Sequence, residues 1–211
     1  CVSMVFLSVI LDTLRQAGIA LLPPMAPEQI AEIRDHLRAT PAYTEHVQAY
    51  SDGAARNFDH TAEGTEIWCH AMSDVVAAPH FFEFALAQVE LARAYLEALP
   101  RLYSMNAFWT RPGTRAPVAH LQEWHRDNDD DRFLAFFVYG TDVEEEADGP
   151  HEYQLGTHHG GEPGGPISVF GPAGTAWAAD THGLHRGPKP ARGHRLLLWA
   201  RYGVSDPPRA Y

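Results

Sequence analysis

His125 and Asp127 stand two residues apart in the run Gln122-Glu123-Trp124-His125-Arg126-Asp127; sixty positions on (185 − 125) comes His185, and ten after that comes Arg195. Two imidazoles, one carboxylate and one guanidinium, with no cysteine among them, are the donors of a facial two-histidine, one-carboxylate iron(II) site. Such a site leaves coordination positions open, so its donors do chemistry rather than hold a fold together. Alone, the H-x-D pair carries little weight, because roughly one arises by chance in a chain of this composition. On a strand, residues i and i+2 point to the same face, so a strand over 118–126 running into Asp127 would aim both side chains at one metal.

The third ligand has rivals. His182, His185 and His194 all lie near the last strands, and spacing alone favours His185 only slightly. His151, His158 and His159 fall on a turn-rich segment and read as solvated. Residues 194–202 carry more information. Arg195, Leu197 and Trp199 share one face of that strand, and Leu196, Leu198 and Ala200 share the other. Both faces are apolar, so the strand is expected to be buried on both sides. A buried guanidinium keeps its charge and needs a partner. Arg195 either pairs with a protein carboxylate or receives an anionic ligand in bidentate fashion; a dicarboxylate cosubstrate would fill that second role.

These residues need a scaffold. A chain of 211 residues, 45% hydrophobic and 20% charged, fits a single domain with a full-sized core. The net charge of −11 argues against nucleic acid or an anionic membrane surface as the main partner. No stretch is long enough to span a bilayer. The two cysteines, Cys1 and Cys69, form no disulfide framework or zinc module, and a reducing cytoplasm is the expected location.

Residues 1–100 read as mostly helical. Leu7, Ile10, Leu11 and Leu14 recur at helical spacing before Gly18, and Ile19 to Leu22 forms a short strand ending at Pro23-Pro24. A helix opens near Pro27 with Ile30, Ile33 and Leu37 on one face. Residues 40–66 show no period and read as a long irregular loop. A further helix is expected over 79–99, with Phe82, Leu86, Val89 and Leu96 on its apolar face. After residue 100 the period shifts to two. Extended runs at 103–110, 118–126, 132–139, 151–155, 167–170, 175–178 and 194–202 are separated by Gly/Pro turns, the pattern of a sandwich or jelly-roll barrel.

Three segments together resemble the phytanoyl-CoA dioxygenase family of iron(II)/2-oxoglutarate oxygenases. The first is Gln122 to Asp127 with the apolar run Phe133 to Tyr139 and Thr141-Asp142-Val143. The second is Asp148-Gly149-Pro150 through Leu155-Gly156-Thr157-His158, similar to the family's GP…PGSH turn, with Leu-Gly-Thr in place of Pro-Gly-Ser. The third runs from Gly174-Thr175-Ala176-Trp177 through His182 and His185, then Arg195-Leu196-Leu197-Leu198. In the family a glycine opens a strand and the distal ligand histidine follows about eleven residues later. Gly174 plus eleven selects His185 over His182. The resemblance covers most of the chain and is strongest over 103–203.

It implies one domain over 1–211: a double-stranded β-helix (jelly-roll, cupin-like) barrel over 101–211, mainly β, with the helices of 1–100 packed on one sheet. It implies iron(II) on His125, Asp127 and His185, and the distal carboxylate of 2-oxoglutarate on Arg195. Asn106 and Gln122 are candidates for further cosubstrate contacts. The implied reaction consumes dioxygen, releases succinate and carbon dioxide, and hydroxylates a small molecule; desaturation, epimerisation or ring formation share the same oxidant. Family halogenases lack the carboxylate that Asp127 provides, so halogenation is disfavoured. Two alternatives are a non-catalytic cupin-like binding module and a metal-dependent isomerase or hydrolase on the same barrel. The acidic runs 127–131 and 144–146 read as solvated loops, or as a rim drawing in a cationic substrate. Pocket walls are expected from 40–66, 128–131 and 157–166, with Trp68, Phe58 and Trp109 as aromatic candidates.

Overall fold

The computed structural model describes residues 4–44, 56–57, 67–113 and 122–206. Helix α1 (Met4–Ala17) buries Ile10 and Leu14 and stops at Gly18, whose φ of +84° a glycine adopts freely. Strand β1 (Ile19–Leu22) follows, and α2 (Pro27–Ala39) starts on its proline and buries Ile30, Ile33 and Leu37. Then come β2 (Pro41–Thr44), β3 (Arg56–Asn57), β4 (Ile67–His70), α3 (Met72–Val76), α4 (Phe81–Ala87) and α5 (Val89–Leu96).

The second half holds β5 (Arg101–Thr110), β6 (Phe133–Tyr139), β7 (His151–Gln154), β8 (Pro166–Val169), β9 (Ala176–Ala179), β10 (His185–Arg186) and β11 (Arg195–Gly203). Eight strands form one sheet in the order β1-β9-β6-β11-β5-β4-β2-β3, and β10-β7-β8 form a second. All the strand pairings among the described residues are antiparallel.

Strand β11 lies at the centre of the large sheet, paired to β5 and β6, and every residue in it is buried. Leu196, Leu198, Ala200 and Tyr202 pack into the core shared with the helices, while Leu197 and Trp199 face the second sheet with Phe137, Tyr139, Tyr153 and Trp177. Two buried faces give the near-continuous apolar run seen in the sequence. This is the mainly β, jelly-roll arrangement expected, with helices covering one face of the large sheet.

Several sequence expectations change. The helix expected over 79–99 is two helices that meet at Gln88, and the buried face is Phe81, Ala85, Leu91, Ala92 and Leu96; Phe82 and Leu86 are exposed. Within 40–66, β2 and β3 are extended; the rest of that loop, Phe58 included, lies outside the described residues. Strand β4 and strand β10 carry too few residues to show a period. The expected strand over 118–126 is a single bridge at His125, with 114–121 outside the described residues. Trp68 and Trp109 belong to the helix-side core rather than to a pocket.

Candidate metal centre and its cavity

His125 and His185 form a mutual antiparallel bridge, each amide donating to the other's carbonyl at 3.0 Å. Directly opposed residues of such a pair project to the same side, so the bridge, not a strand period, puts both imidazoles together. Asp127 is placed by its own amide, which donates to the Thr181 carbonyl at 2.8 Å. One ligand atom from each of His125, Asp127 and His185 lies within 4.8 Å of the others. Each imidazole Nε2 is 3.7 Å from a different oxygen of the Asp127 carboxylate.

The ring tautomers follow from their neighbours. His125 Nδ1 is 2.8 Å from the Glu123 carbonyl, and His185 Nδ1 is 3.0 Å from the Gly183 carbonyl. A carbonyl only accepts, so each Nδ1 carries the proton and donates, which leaves each Nε2 lone pair free for a metal. Burial pushes the His185 imidazole down to about 4, against the pull of Asp127, so the ring is neutral at pH 7. Burial acts to raise the Asp127 carboxyl, but the Arg201 guanidinium and then His185 hold it below the ordinary range.

Arg201 was not singled out in the sequence. It donates to Asp127 at 2.9 Å and to Asp129 at 2.5 Å, fixing the Asp127 carboxylate from behind. Its only trace in the sequence is the two-residue alternation 195, 197, 199, 201 along β11. This bridge also corrects the reading of the acidic run. Asp129 pairs with Arg201 and accepts from the Tyr103 hydroxyl. Asp130 is buried and accepts from the amides of Val204 and Ser205 and from the Ser205 hydroxyl. Neither is a solvated rim. Glu144, Glu145 and Glu146 are exposed, as a solvated loop should be.

The triad opens on a cavity between the sheets with about 590 Å³ of empty space, counting the part open to solvent. Ile67, Phe108, Phe137, Leu197 and Trp199 give it apolar walls, and Gln122, His151, Arg195 and Arg201 add polar groups. Among the described residues, framework strands supply most of these; 128–131 and 157–166 are not among the walls, and 45–55 and 58–66 lie outside the described residues.

Arg195 is 4% exposed. Its guanidinium donates to the carbonyls of Gly149, Pro188 at 3.1 Å and Gly187 at 3.5 Å. Nε has no partner, and Arg195 forms no ion pair with a carboxylate among the described residues. Asn106 shares the inner face of β5 with Phe108, opposite Trp199, but donates to the Ser104 hydroxyl at 2.5 Å and is not among the cavity walls. Gln122 is buried against the cavity.

His182 is directed elsewhere: Nδ1 meets Asp180 at 3.1 Å and Nε2 meets the Asp130 carbonyl at 3.1 Å. His151 reverses expectation. It is fully buried and lines the cavity, because the Gly149-Pro150 turn leads straight into β7 beneath the large sheet.

No protein-family model matches the chain, and no curated protein matches its sequence. Solved structures match its fold. HygX from Streptomyces hygroscopicus, with nickel and 2-oxoglutarate bound, aligns at a TM-score of 0.69 and 15% identity over 93% of this chain and 87% of that one. The epimerase SnoN, in complex with Fe3+, alpha ketoglutarate and nogalamycin RO, aligns at 0.70 and 15% over 96% and 85%. The alpha ketoglutarate dependent carbocyclase SnoK from nogalamycin biosynthesis aligns at 0.65 and 13% over 92% and 82%. The chain therefore carries the jelly-roll fold on which these enzymes are built.

Proposed function

We propose that this protein is an iron(II)- and 2-oxoglutarate-dependent oxygenase that hydroxylates a small molecule. One observation carries the reading: an open His-Asp-His donor set and a buried arginine with no carboxylate partner among the described residues share one cavity. The donors suit a divalent ion of iron's kind, and the unpaired guanidinium suits a dianionic ligand that reaches across to it. A closed binding module or a zinc hydrolase would leave Arg195 without a function.

His125, Asp127 and His185 would hold the metal, and Arg195 would receive the distal carboxylate of 2-oxoglutarate. Gln122 sits close enough to contribute a further polar contact, whereas Asn106 is engaged with Ser104. Iron(II) with 2-oxoglutarate and dioxygen supplies an oxidant able to remove hydrogen from an unactivated carbon. The protein's share is placement and dryness: β11 and β5 wall the cavity with Leu197, Trp199 and Phe108, and Arg201 keeps Asp127 in one orientation.

Small-molecule substrates fit the precedent of HygX, solved with hygromycin B, and SnoN, solved with nogalamycin RO. That SnoN is an epimerase and SnoK a carbocyclase on the same fold makes epimerisation or ring closure the second reading. No helix among the described residues is long and apolar enough to cross a membrane.

Succinate release is the direct test. Purified protein given iron(II), 2-oxoglutarate and dioxygen should show slow turnover without any substrate. Turnover should stop when either iron(II) or 2-oxoglutarate is withheld, and His125→Ala should abolish it. Protein that binds neither metal nor 2-oxoglutarate sinks the proposal.

A further inference from the structure

His151 is a buried polar group on the cavity that the proposed chemistry leaves unused. It opens β7 directly after Gly149-Pro150, and the Gly149 carbonyl of that turn anchors the Arg195 guanidinium. One turn therefore delivers both groups to one cavity. The His151 backbone is fixed by the Tyr139 hydroxyl, which accepts from its amide at 2.7 Å and itself donates to the Val169 carbonyl at 2.9 Å. Its ring is held by Phe137 at 5.0 Å, Trp177 at 5.3 Å and the metal-ligand His185 at 5.6 Å between centroids.

Such packing fixes the ring without satisfying it. Among the described residues, His151 Nε2 is buried with no hydrogen-bond partner, and so is Arg195 Nε. Each buried nitrogen without a partner calls for an explanation, and Trp199 Nε1 on the same cavity wall is a third. Two of them, on residues joined through one turn and lining the same cavity as the donor triad, point to a shared anionic ligand.

We propose that His151 binds the cosubstrate beside Arg195, with Nε2–H donating to the carboxylate that the guanidinium receives. The site then reads a 2-oxo dicarboxylic acid by two donors of different kinds, one cationic and one neutral, and rejects 2-oxo monocarboxylic acids of the same chain length. This rests on the oxygenase reading and names a specificity residue within it.

The test is anaerobic titration of the iron(II)-loaded protein, following the visible band of the metal–2-oxo acid chelate, with 2-oxoglutarate and with 2-oxopentanoate, which lacks the distal carboxylate. His151→Phe should raise the Kd for 2-oxoglutarate about 10- to 100-fold, the loss of one hydrogen bond to a charged group. It should leave the weaker Kd for 2-oxopentanoate unchanged. His151→Gln, which keeps an N–H donor, should recover most of the affinity for 2-oxoglutarate. Iron(II) affinity measured without any 2-oxo acid should match wild type in both variants.

Wild-type 2-oxoglutarate affinity in His151→Phe overturns the proposal and leaves the oxygenase reading standing. So does an equal loss for both 2-oxo acids, or a folded His151→Gln that behaves as His151→Phe does. Wild-type protein that forms no chelate at all removes the oxygenase reading itself.

Discussion

At the residue scale, the site depends on backbone carbonyls as much as on ligands. The Gly183 carbonyl fixes the His185 tautomer, and Gly183 has no room for a side chain: a Cβ there would overlap the Tyr153 hydroxyl, which donates to the Asp180 carbonyl at 2.8 Å. Gly183→Ala should shift that carbonyl and weaken metal binding by about 10- to 100-fold, as loss of an orienting partner does. Competition with a fluorescent chelator would measure it, and unchanged affinity would show that the turn gives way at no cost to His185. Arg195→Leu should weaken 2-oxoglutarate binding by a few kcal/mol, as loss of one partner from a buried charge pair does, with iron(II) affinity retained. Equilibrium titration checks it, and an unaltered Kd would mean that the carbonyls of Gly149 and Pro188 are the guanidinium's whole purpose.

At the element scale, His70 joins strands and helices behind the site. Its Nε2 accepts from the Trp109 indole at 3.1 Å and its Nδ1 lies 3.2 Å from the Pro41 carbonyl, so the folded ring is neutral. Burial lowers it from 6.5 to about 4, partly offset by that carbonyl. Above pH 6.5 both folded and unfolded chains hold it neutral, and it leaves stability alone. As pH falls from 6.5 towards 4 the unfolded chain takes the proton first, and stability drops by about 3 kcal/mol in all. His70→Gln should flatten that slope in urea unfolding followed at several pH values; parallel curves for the two proteins would refute the assignment.

What could be read in advance also sorts by element. Strand β11 was legible because burial on both faces leaves a run of apolar residues along one strand. The distance from Gly174 to His185 was legible only through the family resemblance; the glycine itself is demanded by its φ of +99° and by the Met25 carbonyl 2.5 Å from where a Cβ would sit. His151 and Arg201 were not legible. Their partners lie 12 or more residues away in sequence, on other strands or in the acidic loop, and no local period records such a pairing. The H-x-D residues do come together with His185, but through another geometry than the one expected: a two-hydrogen-bond bridge does the work assigned to a strand.

At the scale of the whole molecule, the acidic loop after the first two ligands ties the barrel's last strand in place. Asp130 collects the amides of Val204 and Ser205 just beyond β11, and Asp129 holds Arg201 within it. The net charge of −11 thus overstates how much negative charge faces solvent near the site. Asp130→Ala should destabilise the fold by about 2–3 kcal/mol, the loss of several hydrogen bonds to a charged group, while metal affinity stays close to wild type. Thermal unfolding beside metal titration separates the two, and a loss of metal binding without a loss of stability would place Asp130 in the site instead.

The mutual bridge between His125 and His185 carries one more consequence. Each ligand's amide proton is sheltered by the other ligand's carbonyl, so the two amides share a single opening event. In the metal-free protein they should exchange with deuterium at one common rate, and that rate reports how often the ligand pair comes apart. Amide exchange would thus read the preorganisation of the site directly, with no metal, cosubstrate or substrate in the tube.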